Sequence, residues 1–258
     1  MHTRRLILVL ALAVLPIIGG AVFAGHAHAR PGGPPDGSDL LFPYWHSEIV
    51  DSEGDVGSSV ALAVTANGEI HLAYYDATNS ALKYAHGKPG NWQIETVDDT
   101  GIAGLCPALA LDAAGRPHIT YATAAEISIG GSSSVNAQRY ARWTGTVWEL
   151  SSFDGVESEP EPGRYVCLRS AIALDDGGSP HFAYSRTFWG PPKSIGSVRY
   201  ARRDGDVWDI VPRIDGFGPY AGAGLDLLLD EGGRPQIAYV NDAWTYAGAP
   251  EVKVSALS

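Results

Sequence analysis

The sequence is short of the ingredients of several common protein classes. Of 258 residues one is Met and two are Cys, so no disulfide-dense scaffold can be built and at most one bridge can form. Charged residues make up only 18%, with 18 Lys and Arg against 29 Asp and Glu for a net charge of −11. Nucleic acid and anionic lipid are thereby excluded as natural partners, because phosphate binding needs basic surface. No nucleophile elbow, phosphate loop, His-Glu-x-x-His or dinucleotide fingerprint occurs, which removes the enzyme classes those motifs mark. Disorder is excluded too, since 45% of the chain is hydrophobic. What the chain has instead is 31 Gly, 17 Pro, 12 Tyr and 7 Trp, residues of tight turns and strands rather than of helical bundles.

The one long apolar run, 6–25, follows Arg4 and Arg5 and precedes Ala27, His28 and Ala29. A basic start, an apolar core and a small-x-small cleavage pattern are the parts of a secretory signal. Residues 1–29 are therefore expected to be a signal peptide that exports the protein to the periplasm, the cell surface or the medium. Residues 30–40, rich in Gly and Pro, read as a flexible linker. No Cys lies near the cleavage region, so no lipid anchor and no membrane association beyond the signal segment is expected.

From residue 41 the chain repeats itself. Ala-Leu-Ala-Val-Thr-Ala-Asn-Gly-Glu-Ile-His-Leu-Ala-Tyr at 61–74 aligns with Ala-Leu-Ala-Leu-Asp-Ala-Ala-Gly-Arg-Pro-His-Ile-Thr-Tyr at 108–121, and further copies stand at 171–184 and 226–239. Each copy is two short β-runs about a turn. Asp112, Asp175 or Asp230, replaced by Thr65 in the first copy, offers the turn a side-chain acceptor, and a Gly three residues on offers positive φ. A second strand pair follows the first three copies, marked by Tyr84, Tyr140 and Tyr200 and then by Trp92, Trp148 and Trp208. The unit thus has four strands, A to D, and a period on the order of 50 residues, the blade length of β-propellers. The fourth copy ends after its strand C, and the missing strand D stands at the front of the chain, where Trp45 and Asp51 match Trp92 and Asp98. The expected fold is all-β: a four-bladed propeller over 41–258, closed by an N-terminal strand that completes the last blade. Its parts are strand D of blade 4 at 41–51, blade 1 at 59–98, blade 2 at 107–154, blade 3 at 170–215 and blade 4 at 224–258. The alternative is a partial ring completed by oligomerisation; the strand count favours a closed monomer.

The pattern Ala-Leu-x-x-x-Gly-x-Pro-His-x-Ala-Tyr, then Lys/Arg-Tyr-Ala, then a Gly before Trp and an Asp six or seven residues after it, resembles the blade repeats of secreted bacterial β-propeller proteins. It is loosely similar to the blades of fucose-binding propeller lectins and shares its blade number with hemopexin-type domains. The resemblance covers 45–258 and implies the fold rather than a ligand. The Ser-x-Asp-x-Gly-x-Thr-Trp box of sialidases is absent.

In such a fold the D-to-A and B-to-C connections share one face. The B-to-C loop is short in blade 1, at 76–80, and long in the others, at 122–138, 185–197 and 240–250; the D-to-A loop at 155–169 is long as well. Variable loops on a rigid scaffold carry function. Phe188, Trp189, Tyr220, Trp244 and Tyr246, with Arg186 beside them, are the expected ligand-binding set. Aromatic faces next to charged hydrogen-bonding groups suit sugars and proteins alike, although such rings also fold back as local core.

Other constellations are weighed against structural roles. His71, His118 and His181 recur at one position, with Gln236 in the fourth copy; on the second strand from the axis they stand too far apart to share an ion and read as a repeated buried hydrogen bond. Asp226 breaks the column of Ala61, Ala108 and Ala171 on the channel-lining strand, which makes it the candidate catalytic residue unless backbone amides satisfy it. Asp51, Glu53 and Asp55 alternate oxygen ligands and are candidate calcium ligands, though the later Glu of an EF-hand is missing. Cys106 and Cys167 precede strand A in adjacent blades and are expected to pair as a disulfide, two separate buried thiols being the alternative.

The favoured function is an exported, non-catalytic binding module for glycan or extracellular protein, working through the B-to-C and D-to-A loops. Two alternatives stand beside it. One is a glycoside hydrolase or lyase using Asp226 with Asp98, Asp99 or Glu157, and the other a structural extracellular repeat domain. No cofactor is expected other than the candidate calcium.

Overall fold

The computed structural model describes residues 47–124, 136–154, 164–166, 169–189, 195–215, 222, 224–241 and 251–257. The chain divides into a unit at 1–49 and a unit at 50–258, and every strand below belongs to the second. Four antiparallel sheets follow one another along it. The first is β1 (Val56–Val64), β2 (Ile70–Asp76), β3 (Ala81–Lys88) and β4 (Asn91–Asp98); the second is β5 (Ile102–Leu111), β6 (Pro117–Ala124), β7 (Asn136–Trp143) and β8 (Trp148–Asp154). In the third, β9 (Arg164–Val166) adds to β11 in the series β10 (Ser170–Leu174), β11 (Pro180–Trp189), β12 (Ile195–Asp204) and β13 (Val207–Asp215). The last sheet has three strands, β14 (Leu225–Leu229), β15 (Pro235–Asn241) and β16 (Glu251–Ala256). No helix occurs among the described residues.

The turn chemistry read from the sequence is what closes each first hairpin. Gly68, Gly115, Gly178 and Gly233 all have φ between 73° and 80°, and each donates its amide to the carbonyl of Thr65, Asp112, Asp175 or Asp230 at 2.9 to 3.0 Å. The Asp112 carboxylate also accepts from the amides of Ala114 and Arg116, and Asp230 does the same for Gly232 and Arg234. A residue with a Cβ would resist that left-handed backbone.

The sheets are joined by a repeated ionic latch. The Asp that ends one sheet accepts a hydrogen bond from a Tyr and from a Lys or Arg of the next. Tyr121 and Arg139 donate to Asp98 at 2.6 and 2.7 Å, Tyr184 and Arg199 to Asp154 at 2.8 and 2.9 Å, and Tyr239 and Lys253 to Asp215 at 2.9 and 2.8 Å. Asp51 takes the same part for the first sheet, with Tyr74 at 2.6 Å and Lys83 at 2.7 Å. Of the candidate calcium ligands Asp51, Glu53 and Asp55, the Asp51 carboxylate is paired with Lys83, and the Asp55 amide donates to Thr78. No group of three ligating side chains suited to a metal occurs among the described residues.

Apolar cores lie beside the latches. Tyr84, Leu82 and Val97 of the first sheet pack with Ile119, Leu109 and Trp148 of the second; Tyr140 and Phe153 of the second pack with Phe182, Ile172 and Trp208 of the third. Tyr200 and Val198 of the third pack with Leu227, Ile237 and Tyr239 of the fourth. Trp148 meets Tyr84 edge-on at 5.2 Å and Trp208 meets Tyr140 at 5.7 Å, which explains why those rings recur in register. Gly104 permits one of the close approaches, since with φ at 99° a Cβ there would stand 2.8 Å from the Leu82 Cα.

The junction between fourth and first sheets differs. Leu62 on β1, which holds the column of Leu109 and Leu227, is 63% exposed, and Val254 on β16, which holds the column of Tyr84, is 69% exposed. The expected closing strand at 41–51 is not among the observed elements: 41–46 lie outside the described residues and 47–49 carry no strand.

A latch carboxylate buried against two donors is expected to matter more than any exposed neighbour. Replacing Asp98, whose side chain is fully buried, by Ala should cost about 3–5 kcal/mol in urea denaturation, whereas Ala at the exposed Asp99 should stay within about 0.5 kcal/mol.

Candidate functional site

The first strands of the four sheets converge on one cavity of about 410 Å³, lined from β1 by Ser59 to Ala61, from β5 by Cys106 to Leu109, from β10 and the residue before it by Arg169 to Ile172, and from β14 by Leu225 and Asp226. Aligned by repeat, Ala61, Ala108, Ala171 and Asp226 form one layer of the wall. Three methyl groups leave the space open, and the fourth position fills it with a carboxylate. Ser59, Cys106 and Arg169 hold the next layer, so the cavity presents one acid, one guanidinium, one thiol and hydroxyls. Asp226 is exposed, and among the described residues its carboxylate accepts only from the amide of the following residue, Leu227, at 2.9 Å. Asp226 thus stands on the wall of this cavity.

A bulge in β5 between Leu105 and Ala108 carries Cys106 with φ at 47°. Such bulges turn a side chain out of the regular alternation. Cys167 lies outside the described residues, and no disulfide occurs among the described ones.

The loop residues expected to bind ligand have mixed placements. Phe188 and Trp189 are not in a loop: β11 continues through them, pairing Phe188 with Ile195 and with Tyr165, and Trp189 with Arg164. Arg186 is a second correction. It is buried, and its guanidinium donates to Asp154 at 3.1 Å as an additional arm of the latch. Tyr220, Trp244 and Tyr246, and Glu157 of the carboxylate set, lie outside the described residues. Asp98, another of the carboxylates considered for catalysis, is consumed by Tyr121, Arg139 and Thr100. Burial would raise its pKa, but these hydrogen bonds prevail and hold it below the usual carboxylate range. Arg169 was missed by sequence reasoning, although its departure from Ser59 and Cys106 in the same column was a signal of the kind that singled out Asp226.

The repeated histidines are hydrogen-bonded as expected. His118 and His181 meet Tyr140 and Tyr200 through Nδ1 at 2.6 and 2.7 Å, and His71 meets Tyr84 in the same way. In the fourth sheet Gln236 replaces His and Val254 replaces Tyr, so the pair is lost as a unit.

Comparison with known proteins gives a likeness of fold. No family model matches the chain, and no curated protein matches it. Among solved structures, an α-L-arabinanase of Penicillium chrysogenum complexed with arabinobiose aligns with a TM-score of 0.52 at 12% identity, over 76% of this chain and 60% of that one. A GH93 α-L-arabinofuranosidase of Fusarium graminearum, also with arabinobiose, gives 0.50 at 13% identity over 78% and 62%. A fucose lectin from Kordia zhangzhouensis aligns at only 0.36, with 18% identity over 61% of this chain. The chain thus spans about three-fifths of the length of the enzymes it matches. The fold is that of propeller proteins. The expectation of a non-catalytic binding module is corrected here, because the two structures above that align at a TM-score of 0.50 or more are glycoside hydrolases rather than binding modules; the preference against an enzyme has no support.

The buried histidines set a pH dependence. Burial lowers the pKa of His71, His118 and His181, and the nearby Glu69, Asp112 and Asp175 offset this only in part. A folded-state pKa below the unfolded value of about 6.5 means that protons bind the unfolded chain better. Stability is then complete above about pH 6.5 and falls as the pH drops through the folded values. Asp51, where hydrogen bonds from Lys83 and Tyr74 outweigh burial and bring the pKa down to about 2, adds to the loss only below the ordinary carboxylate range. Thermal unfolding followed by circular dichroism should show a flat midpoint from pH 8 to 7 and a decline as the pH falls below about 6.5, and His118→Gln should flatten that decline.

Proposed function

We propose that the protein is an exported glycoside hydrolase whose site is the cavity where β1, β5, β10 and β14 meet, with Asp226 as its acid–base group. The observation that carries this reading is the single carboxylate set into an otherwise alanine-lined layer, exposed to the cavity and not engaged by any cation among the described residues. Likeness of fold to arabinan-acting enzymes supports trying α-L-arabinofuranosides first. Glycoside hydrolysis needs one carboxyl to protonate the leaving oxygen and a second to act as base or nucleophile. With Asp98 spent in a latch, Asp99 and Glu157 are the remaining partners, and Glu157 is the better placed in sequence, twelve residues before Arg169 of the cavity wall. Arg169 supplies a donor for substrate hydroxyls. Turnover of aryl α-L-arabinofuranosides and arabinan by the purified protein is expected, with kcat lowered about 100-fold or more in Asp226→Asn. No turnover across a panel of aryl glycosides, or an unchanged kcat in the variant, would remove this reading.

The finer architecture proposed is four blades closed on themselves, with 41–51 as the fourth strand of the last sheet. Two features support it. Asp51 latches the first sheet as Asp98, Asp154 and Asp215 latch the others. A groove of about 180 Å³ beside Tyr200, Ile237 and Leu257 corresponds to the places where Trp148 meets Tyr84 and Trp208 meets Tyr140, with no Trp there among the described residues. Closure would also cover Leu62 and Val254. Leu62→Asp and Val254→Asp should then each cost more than about 2 kcal/mol, whereas an open edge predicts changes within about 0.5 kcal/mol. Size-exclusion chromatography separates a closed monomer from a ring completed by a second copy.

A further inference from the structure

We propose that a second ligand site, for the carboxylate-bearing sugar of an acidic glycan, lies at the turn end of the junction between the second and third sheets. It is independent of the hydrolase reading. β5 leads away from the first cavity to Asp112, and there a separate cavity of about 250 Å³ is walled by Asp112, Arg116, Arg142, Trp143 and Gly177.

Three observations point to this ligand. The first is a break in the repeat. Through their pairing with the His71, His118, His181 and Gln236 column, the positions of Arg142 read His86, Arg142, Arg202 and Ala256, and the next positions read Gly87, Trp143, Arg203 and Leu257. The column of Arg116 reads Glu69, Arg116, Ser179 and Arg234. Among the described residues, these columns bring two arginines and a tryptophan together in the second sheet alone. Blade packing does not demand that combination, since the other sheets dispense with it.

The second observation is that the donors are held in place yet not used up. Arg116 donates through Nε to Asp112 at 2.7 Å, and Arg142 donates through Nε and Nη2 to Glu149, both at 2.7 Å. A guanidinium has five N–H donors, and these side chains remain 49% and 42% exposed. The carboxylates thus orient the two cations while leaving further N–H groups for a ligand.

The third is Trp143, half-buried and held 5.6 Å from the ring of Trp148. A fixed indole face takes up the C–H patch of a pyranose, and arginines take a carboxylate through paired N–H donors. Each guanidinium is matched by one carboxylate, Arg116 by Asp112 and Arg142 by Glu149, so what favours a carboxylate-bearing sugar over a neutral one is the set of N–H donors these pairs leave exposed beside the indole.

Saturation-transfer NMR on the full protein tests the site, with sodium glucuronate as probe and glucose and sodium acetate as controls. Glucuronate should bind saturably and at least about tenfold more tightly than either control, which separates a uronic sugar from a bare carboxylate and from a neutral ring. Trp143→Ala and Arg142→Gln should each weaken it about tenfold or more, and Trp143→Phe should retain most of the binding. No saturable transfer from glucuronate, equal transfer from glucose, or undiminished binding in Trp143→Ala and Arg142→Gln, with the fold intact by circular dichroism, would overturn the proposal.

Discussion

A carboxylate at the end of each sheet, clasped by a Tyr and a Lys or Arg of the next, is the interaction on which the remaining geometry rests. Hydrophobic burial is non-directional and would let two sheets slide over one another. The latch is directional. Its oxygen accepts from a phenol on the second strand and a cation on the third strand of the following sheet, so two strands are registered against one atom. Buried ion pairs of this kind are weak sources of net stability but effective ones of specificity. The Tyr and Trp rings beside them then pack in the same relation from junction to junction. At the junction of the fourth and first sheets, by contrast, Leu62 and Val254 are exposed.

Registering the sheets in this way brings their first strands together, and the cavity is a consequence. Three strands that carry Ala and a fourth that carries Asp226 at the same repeat position leave a space that none of them encloses alone. A single substitution in that layer, Asp226, changes its chemistry without disturbing the latches or the cores, both of which lie farther out. Repetition thus confines functional variation to positions where the columns differ. Arg169 and Trp143 obey the same rule at either end of the strands.

Much of the architecture was legible in the sequence because it follows from local and periodic features. The Asp-x-x-Gly turns, the pairing of His with Tyr, and the recurrence of Trp before Asp each need only a short stretch of chain, repeated. Asp51 was legible in position but not in role. Its neighbours Glu53 and Asp55 suggested a cation loop, and only the tertiary approach of Lys83 and Tyr74 shows where its charge is compensated. Arg186 was misread for a similar reason, since its partner Asp154 stands 32 residues earlier in the chain. The loop reading of Phe188 and Trp189 failed because β9 and β12 both pair with this end of β11 and extend it, a gain of hydrogen bonds that no local propensity announces.

The sequence by itself determined the strand content, the four-unit repeat, the turn types and the identity of the one acidic exception among the channel alanines, since each depends on residue type and spacing. The tertiary structure alone decided which charges are already compensated, which strands line a common cavity, and that two arginines and a tryptophan meet at one junction. These are relations between residues tens of positions apart, set by how neighbouring sheets approach, and no periodicity within a single repeat encodes them.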